Sequence, residues 1–176
     1  HSAEDWLHIH RVAHGMGLRS TCTMLYGHVE TGADRVDHML RLRDLQDETG
    51  GFTAFIPLAF HPANTQMADI PAAGGMMDLK TYAIARLLLD NIAHIKAYWI
   101  MVGLAIAQIS QRYGVADLDG TVVQEKIYHM AGAQTPQRLG VDDIRRLIVE
   151  AGRVPVERDT LYREVVREGE QWAVLA

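Results

Sequence analysis

The chain carries a single cysteine, Cys22, among 176 residues. One thiol excludes an internal disulfide and any metal or cluster site that draws several cysteines from this chain. A surplus of cationic residues is also lacking. Seventeen Lys and Arg against 22 Asp and Glu leave a net charge of −5 and a pI near 6.0. That balance offers no basic surface for nucleic acid or anionic lipid, so both are excluded as expected partners. No apolar run approaches the roughly 20 residues that a membrane helix requires. The sequence opens at His1 with no initiator Met, charged n-region or apolar h-region, so no targeting segment is expected and a cytoplasmic location is. Repeats, low-complexity segments and linkers are missing too. What is present has the length of one domain and, at 48% hydrophobic, enough apolar residues to bury a core.

Helix-like and strand-like segments alternate. Ser2 with Asp5 predicts the N-cap of a helix over 3–16 that Gly17 stops. Residues 18–25 (LRSTCTML) are short, apolar and β-branched, as a strand should be. Val36, Met39, Leu40, Leu42 and Leu45 lie near helical spacing across 31–48, and TGG at 49–51 ends that helix. FTAFIPL (52–58) predicts the next strand. A long loop with prolines follows over 59–77, of the kind that is functional or mobile. Further on, the pattern predicts a helix at 78–93, a buried strand at 95–102 and a helix at 103–114. A short strand or strand-like turn at 116–123 and a helix at 141–151 follow. The tail after 153 is expected to be extended at Pro155 and then helical. Near-continuous apolar strands alternating with helices argue for parallel strands covered on both faces, an α/β fold. Four strands are too few to close a barrel and leave two bare edges in an open sheet. A small doubly wound domain and a part of something larger both stay open. A first helix at residue 3 with no strand ahead of it favours the second.

In α/β folds, polar residues just beyond strand C-termini line the site. That rule selects Tyr26, Gly27, His28 and Glu30; then His61, Asn64 and Thr65; then Trp99 and Met101; and last Asp117, Asp119, Thr121 and Glu125. Glu30 and His28 sit on a Gly-bearing turn where a carboxylate can accept from a ligand amine or ribose hydroxyl. Glu30 is equally placed to favour the N-terminus of the next helix through its dipole. In FHPANT, Pro62 and Asn64 rigidify a turn that aims His61 and Asn64 at a cavity, or form an ordinary turn. The DLDGTVVQEK acids suit a cation, a ribose or a base role, or a helix cap with a salt bridge. His10 and His14, at i and i+4, have no third ligand on their face and read as a solvent-facing pair. Alternation puts Ser20, Cys22 and Met24 on one face, and Cys22 reads as a small buried residue of the sheet.

GLRSTCTMLYGHVET, RVDHMLRLRDLQDETGGFTAFIPLAFHPANT, IKAYWIM, DLDGTVVQEKIYHMAGA and AGRVPVERDTLY, in this order, resemble the C-terminal part of the aminofutalosine synthase family. Its members are radical S-adenosylmethionine (SAM) enzymes of the futalosine route to menaquinone. The GHVET to FIPLAF block is shared with the dehypoxanthine futalosine cyclase and the deazaflavin-precursor synthase. LAFHPANT and DGTVVQEKIYHMAGA tilt the likeness toward aminofutalosine synthase. The resemblance implies that residues 1–176 are the C-terminal half, about four β/α units with parallel strands, of a (β/α)8 TIM-type barrel. It implies SAM and a [4Fe–4S] cluster as cofactors and an external electron donor. The small-molecule substrate would be 3-[(1-carboxyvinyl)oxy]benzoate, to which a 5′-deoxyadenosyl radical adds to give 6-amino-6-deoxyfutalosine. The family's C-x3-C-x2-C cluster motif has no counterpart here, so the N-terminal half of the barrel is needed and the chain alone is expected to be inactive. On the matched positions, His28 and Glu30 fall beside SAM. His61, Asn64, Asp117, Asp119, Thr121 and Glu125 fall toward the substrate, with no catalytic role assigned to any one of them. A non-catalytic binding or scaffold module is the alternative from another class.

Overall fold

The structure is a computed structural model describing residues 2–122, 126–130, 132, 135, 136 and 138–175, with the side chain of Ile127 excepted. Helix α1 spans Ala3–Gly15 and opens with a reciprocal cap between Ser2 and Asp5. Strand β1 is Ser20–Tyr26, and helix α2, Gly32–Thr49, has the same kind of cap from Thr31 and Asp34. Each cap satisfies two amides that a helix start otherwise leaves orphaned. Gly50 ends α2 in the left-handed conformation, and β2, Phe52–Ala59, follows at once. Helix α3, Gly75–Leu88, leads to the two-residue strand β3, His94–Ile95.

The three strands form one parallel sheet in the order β1-β2-β3, with Cys22 opposite Phe55 and Phe55 opposite Ile95. A further parallel bridge joins Lys96 to Asp117, so a fourth strand-like position continues in chain order. Parallel strands added in sequence order through helical crossovers are consistent with half of a TIM-like fold. On one face Cys22, Met24, Tyr26, Phe55 and Ile95 are buried in one core with Met39, Leu42 and Leu45 of α2 and Tyr82 and Ala85 of α3. The other face of β1 carries Thr21, Thr23 and Leu25, all exposed. The alternation expected at Cys22 is therefore the one observed.

Several elements differ from the sequence expectation. The apolar run 95–102 pairs only at its start, and Trp99–Val102 turns into a helix, α4. A short apolar run does not distinguish strand from helix by periodicity. The indole of Trp99 donates to the Gly120 carbonyl at 3.0 Å, so Trp99 and Met101 do not mark a strand end. The next helix, α5, covers Leu104–Ser110 and tightens into a 3₁₀ turn over Gln111–Tyr113. Helix α6 is the short Ile127–Met130, and α7 is Val141–Glu150. The tail is not helical after Pro155. It forms an antiparallel hairpin of β4, Val165–Glu168, and β5, Gln171–Val174, turning at Gly169 in the left-handed region.

His10 and His14 are likewise not a solvent-facing pair. With Trp6 they form one stripe of α1, laid against Phe52 with ring centroids 5.3 Å (His10) and 4.8 Å (His14) away. His10 Nδ1 and His14 Nε2 lie 3.0 and 2.9 Å from the same Ser20 hydroxyl, and His14 Nδ1 lies 2.7 Å from Thr49 Oγ1. The i, i+4, i+8 spacing that suggested a ligand pair is the stripe that docks α1.

Candidate functional site

Beyond β1 the chain makes a tight turn at Gly27, which has φ +86°. Glu30 folds back over this turn. Its Oε1 accepts from the Gly27 amide at 2.7 Å and its Oε2 from the His28 amide at 2.9 Å, while Arg35 donates to Oε1 at 2.7 Å. Burial alone would raise the Glu30 pKa, but the two amides and the guanidinium outweigh it and hold the carboxyl at about 2. The Val29 amide donates to His28 Nδ1 at 2.7 Å. His28 Nδ1 also lies 3.3 Å from Glu30 Oε2. The backbone N–H can only donate, so Nδ1 is the acceptor in the shorter contact, and the neutral ring carries its proton on Nε2. His28 also meets Phe60 edge-on, with ring centroids 6.0 Å apart.

Phe60 binds this turn to the end of β2 through its amide, which donates to the Tyr26 carbonyl at 2.8 Å. His61 follows, its ring 4.8 Å from that of Tyr128 on α6. Asn64 takes a left-handed backbone conformation, and a side chain placed at Gly132 would meet both Asn64 and His61. The structure therefore brings His28, Glu30, His61 and Asn64 to adjoining strand ends, as the strand-end rule anticipates. Beneath them the Tyr26 hydroxyl donates to the buried Asp78 carboxylate at 2.7 Å.

The acids of DLDGT stand at the last strand-like position. Lys96 Nζ lies 2.7 Å from Asp119 Oδ1, and Arg158 lies 2.7 Å from Asp117 Oδ2. Asp117 Oδ1 also accepts the Asp119 amide, and Arg158 donates to the Asp119 carbonyl. Arg158 sits 4.4 Å above the Tyr162 ring, which stacks on His94 at 4.1 Å. A cavity of about 1090 Å³ runs between residues 114–121, α7 and the tail. Asp117, Asp119 and Thr121 line it, and His28, Glu30, His61 and Asn64 do not. Glu125 lies outside the described residues. Sequence reasoning passed over Arg35, Lys96, Asp78 and Arg158. For Lys96 a signal was available, since a lone cation inside an apolar strand run demands a partner.

Cys22 is fully buried in β1, its thiol directed at the Ala54 carbonyl, and burial pushes that thiol up, away from the thiolate. Among the described residues no three His, Cys, Asp or Glu groups converge as a metal site. These residues do not fit an iron–sulfur cluster, which takes several thiolates. At the 27–30 turn the ring of His28, 23% exposed, makes its hydrogen bond to the described residues through Nδ1.

Residues 49–169 match the family model described as the CofH/MqnC C-terminal region. The chain belongs to the CofH/MqnC family. Aminodeoxyfutalosine synthase of Thermus thermophilus is 55% identical over 168 residues, covering 93% of this chain and 45% of that protein. The Streptomyces coelicolor protein of the same name is 48% identical, covering 95% of the chain and 46% of its own length. The 5-amino-6-(D-ribitylamino)uracil–L-tyrosine 4-hydroxyphenyl transferase 1 of Methanosarcina acetivorans is 44% identical over 92% of the chain and 45% of that protein. The chain thus spans a little under half the length of the relatives it matches. Within the CofH/MqnC region fall FIPLAFHPANT, the Lys96–Asp119 pair and Arg158, whereas the Glu30 turn lies ahead of it. No helix among the described residues is long and apolar enough to cross a membrane.

Proposed function

We propose that this chain is the C-terminal half of a cytoplasmic radical SAM barrel that makes 6-amino-6-deoxyfutalosine. The observation that carries the reading is the 55% identity to an aminodeoxyfutalosine synthase over 93% of the chain, against 44% for the transferase relative. When bound, SAM would supply the 5′-deoxyadenosyl group for the enol-ether carbon of 3-[(1-carboxyvinyl)oxy]benzoate, its C5′–S bond cleaved with an electron from the external donor, methionine released and the substrate carboxylate lost. The residues of this chain bind and orient. The 27–30 turn, organised by Glu30, presents His28 to the adenosyl side. His61, Asn64, Asp119 and Thr121 border the substrate, and Asp117 holds the Asp119 segment against Arg158. The unpaired edge of β1 takes the N-terminal half of the same barrel. That half brings the cluster cysteines and meets the external electron donor. Glu125 is assigned to the same substrate side by its place in the DGTVVQEK motif.

The test is product analysis with the complete, reconstituted enzyme given SAM, reductant and 3-[(1-carboxyvinyl)oxy]benzoate. Aminodeoxyfutalosine is expected, and residues 1–176 alone should give no turnover. If the complete enzyme instead cyclises dehypoxanthine futalosine, or couples tyrosine to the ribitylaminouracil, the assignment within the family is overturned.

A further inference from the structure

We infer that Arg35 is a positioning residue that acts through Glu30 to lock His28 as a neutral Nε2–H hydrogen-bond donor facing the ligand. Glu30, in this arrangement, is a part of the turn rather than a partner of the ligand. Its carboxylate is 11% exposed and already accepts from the Gly27 amide, the His28 amide and Arg35. Each of these bonds serves the loop. Arg35 stands one turn into α2, its amide bonded to the Thr31 carbonyl, so the capped helix start fixes where its guanidinium reaches. Glu30 in turn fixes the His28 amide, and the next amide, Val29, takes up His28 Nδ1. With Nδ1 committed as an acceptor, the ring has one polar group left to offer. Among the described residues Nε2 has no hydrogen-bond partner, and the His28 side chain is 23% exposed.

A neutral N–H donor selects acceptor atoms, such as a ring nitrogen or ribose oxygen of an adenosyl group, over a second donor. A charged carboxylate in the same place would instead favour ligand hydroxyls and amines. The chemistry presented at this strand end therefore depends on which of the two side chains turns outward, and the Arg35 bond keeps Glu30 turned in. The identity of the ligand rests on the proposed function. The tautomer and the role of Arg35 rest on the turn itself.

The experiment uses the complete protein with ¹⁵N-labelled histidine. The His28 tautomer is read from long-range proton–nitrogen correlations of the cluster-free form, and SAM affinity is read on the reconstituted form. The wild type should show a bare Nδ1 and a protonated Nε2. Arg35→Ala should mix the tautomers and weaken SAM binding about tenfold, the loss of roughly one charge-assisted hydrogen bond. It should also lower thermal stability, because Glu30 keeps its charge with only the two amides to meet it. Arg35→Lys should restore part of both. His28→Gln, whose amide nitrogen stands where Nε2 was, should bind SAM better than His28→Phe. An unchanged tautomer and unchanged affinity in Arg35→Ala would overturn the inference. So would an affinity loss that follows global stability while the tautomer stays fixed. If the wild type shows the expected tautomer but binds no SAM, the proposed function falls and the positioning role stands.

Discussion

The Arg158 guanidinium lies 2.7 Å from the Asp117 carboxylate and also reaches the backbone carbonyl of Asp119. One side chain of the tail thus holds the loop that carries two candidate site residues. The Asp117 side chain is 6% exposed and Arg158 26%. Removing one partner leaves the other charge poorly solvated, whereas removing both does not. Arg158→Met should cost about 2–3 kcal/mol, below the range for fully buried pairs because Arg158 retains some water. The Asp117→Asn, Arg158→Met pair should cost less than the sum of the single changes. Urea unfolding of the complete enzyme measures this, and strict additivity would show that the contact is not a coupled pair.

The two histidines of α1 make stability depend on pH. Thr49 donates its hydroxyl to the Leu45 carbonyl, so His14 Nδ1 must be the donor to Thr49 Oγ1. His14 Nε2 then accepts from Ser20, and Ser20 accepts from His10 Nδ1. This chain of bonds is complete with both rings neutral. Burial lowers the pKa of each ring from the ordinary 6.5, and for His10 the neighbouring His14 adds to it. A group whose folded pKa is depressed below its unfolded value binds more protons when unfolded, so stability rises with pH through that window. The contribution is whole above pH 6.5 and is lost as pH falls from there toward the folded values. Thermal unfolding between pH 5 and 8 should show this slope. Ser20→Ala should remove about 1 kcal/mol at pH 8. A pH-independent melting temperature across that range would refute the arrangement.

The same network depends on Gly51. A β-carbon there would stand 2.1 Å from the His14 ring, so the ring could not occupy its place between Ser20 and Thr49. Gly51→Ala should undock α1 locally, at a cost of about 2 kcal/mol, and flatten the pH slope. Because the Gly51 backbone does not need glycine for its own conformation, His14→Ala should make Gly51→Ala nearly neutral. If Gly51→Ala stayed costly in that background, the clash would not be its cause.

The regular elements were legible because their signals were local. Ser2 with Asp5 and Thr31 with Asp34 are caps written within three residues, and Cys22, Met24 and Tyr26 alternate in the strand as they do in the sequence. What escaped was whatever a distant residue decides. Trp99–Val102 is apolar enough for a strand, yet the Gly120 carbonyl captures the Trp99 indole and the chain turns helical. His10 and His14 look like a surface pair until Phe52 and Ser20 arrive beneath them. The strand-end rule selects His28, Glu30, His61 and Asn64 because it needs only strand ends, and the structure sets them beyond β1 and β2. It said nothing of Arg35, Lys96 or Arg158, whose importance lies in the carboxylates they meet.

Tyr26 and Tyr82 offer a paired contrast inside the core. The Tyr26 hydroxyl donates to Asp78, a carboxylate that is 4% exposed and whose pKa burial raises. Tyr26→Phe leaves that carboxylate without its donor and should cost about 1–3 kcal/mol. The Tyr82 hydroxyl is buried with no partner among the described residues, so Tyr82→Phe removes an unsatisfied group and should be neutral or stabilising. Equal losses from the two changes would contradict the bond assignment.

Gly27 gives the sharpest test of the turn, because two separate constraints meet there. Its φ of +86° is unfavourable for a side-chain-bearing residue, and an added β-carbon would stand 3.0 Å from the Ala73 β-carbon. Gly27→Ala should therefore cost about 1–2 kcal/mol from backbone strain, with the contact against the loop ahead of α3 added to it. Ala73→Gly in the same chain relieves the contact and leaves the strain. The double variant should therefore recover only part of the stability, while the Glu30 bonds to the Gly27 and His28 amides stay distorted. SAM affinity of the reconstituted enzyme should follow that distortion and remain below wild type in the double variant. Full recovery of affinity with Ala73→Gly would mean that packing against the loop, and not the turn conformation held by Glu30, shapes this strand end.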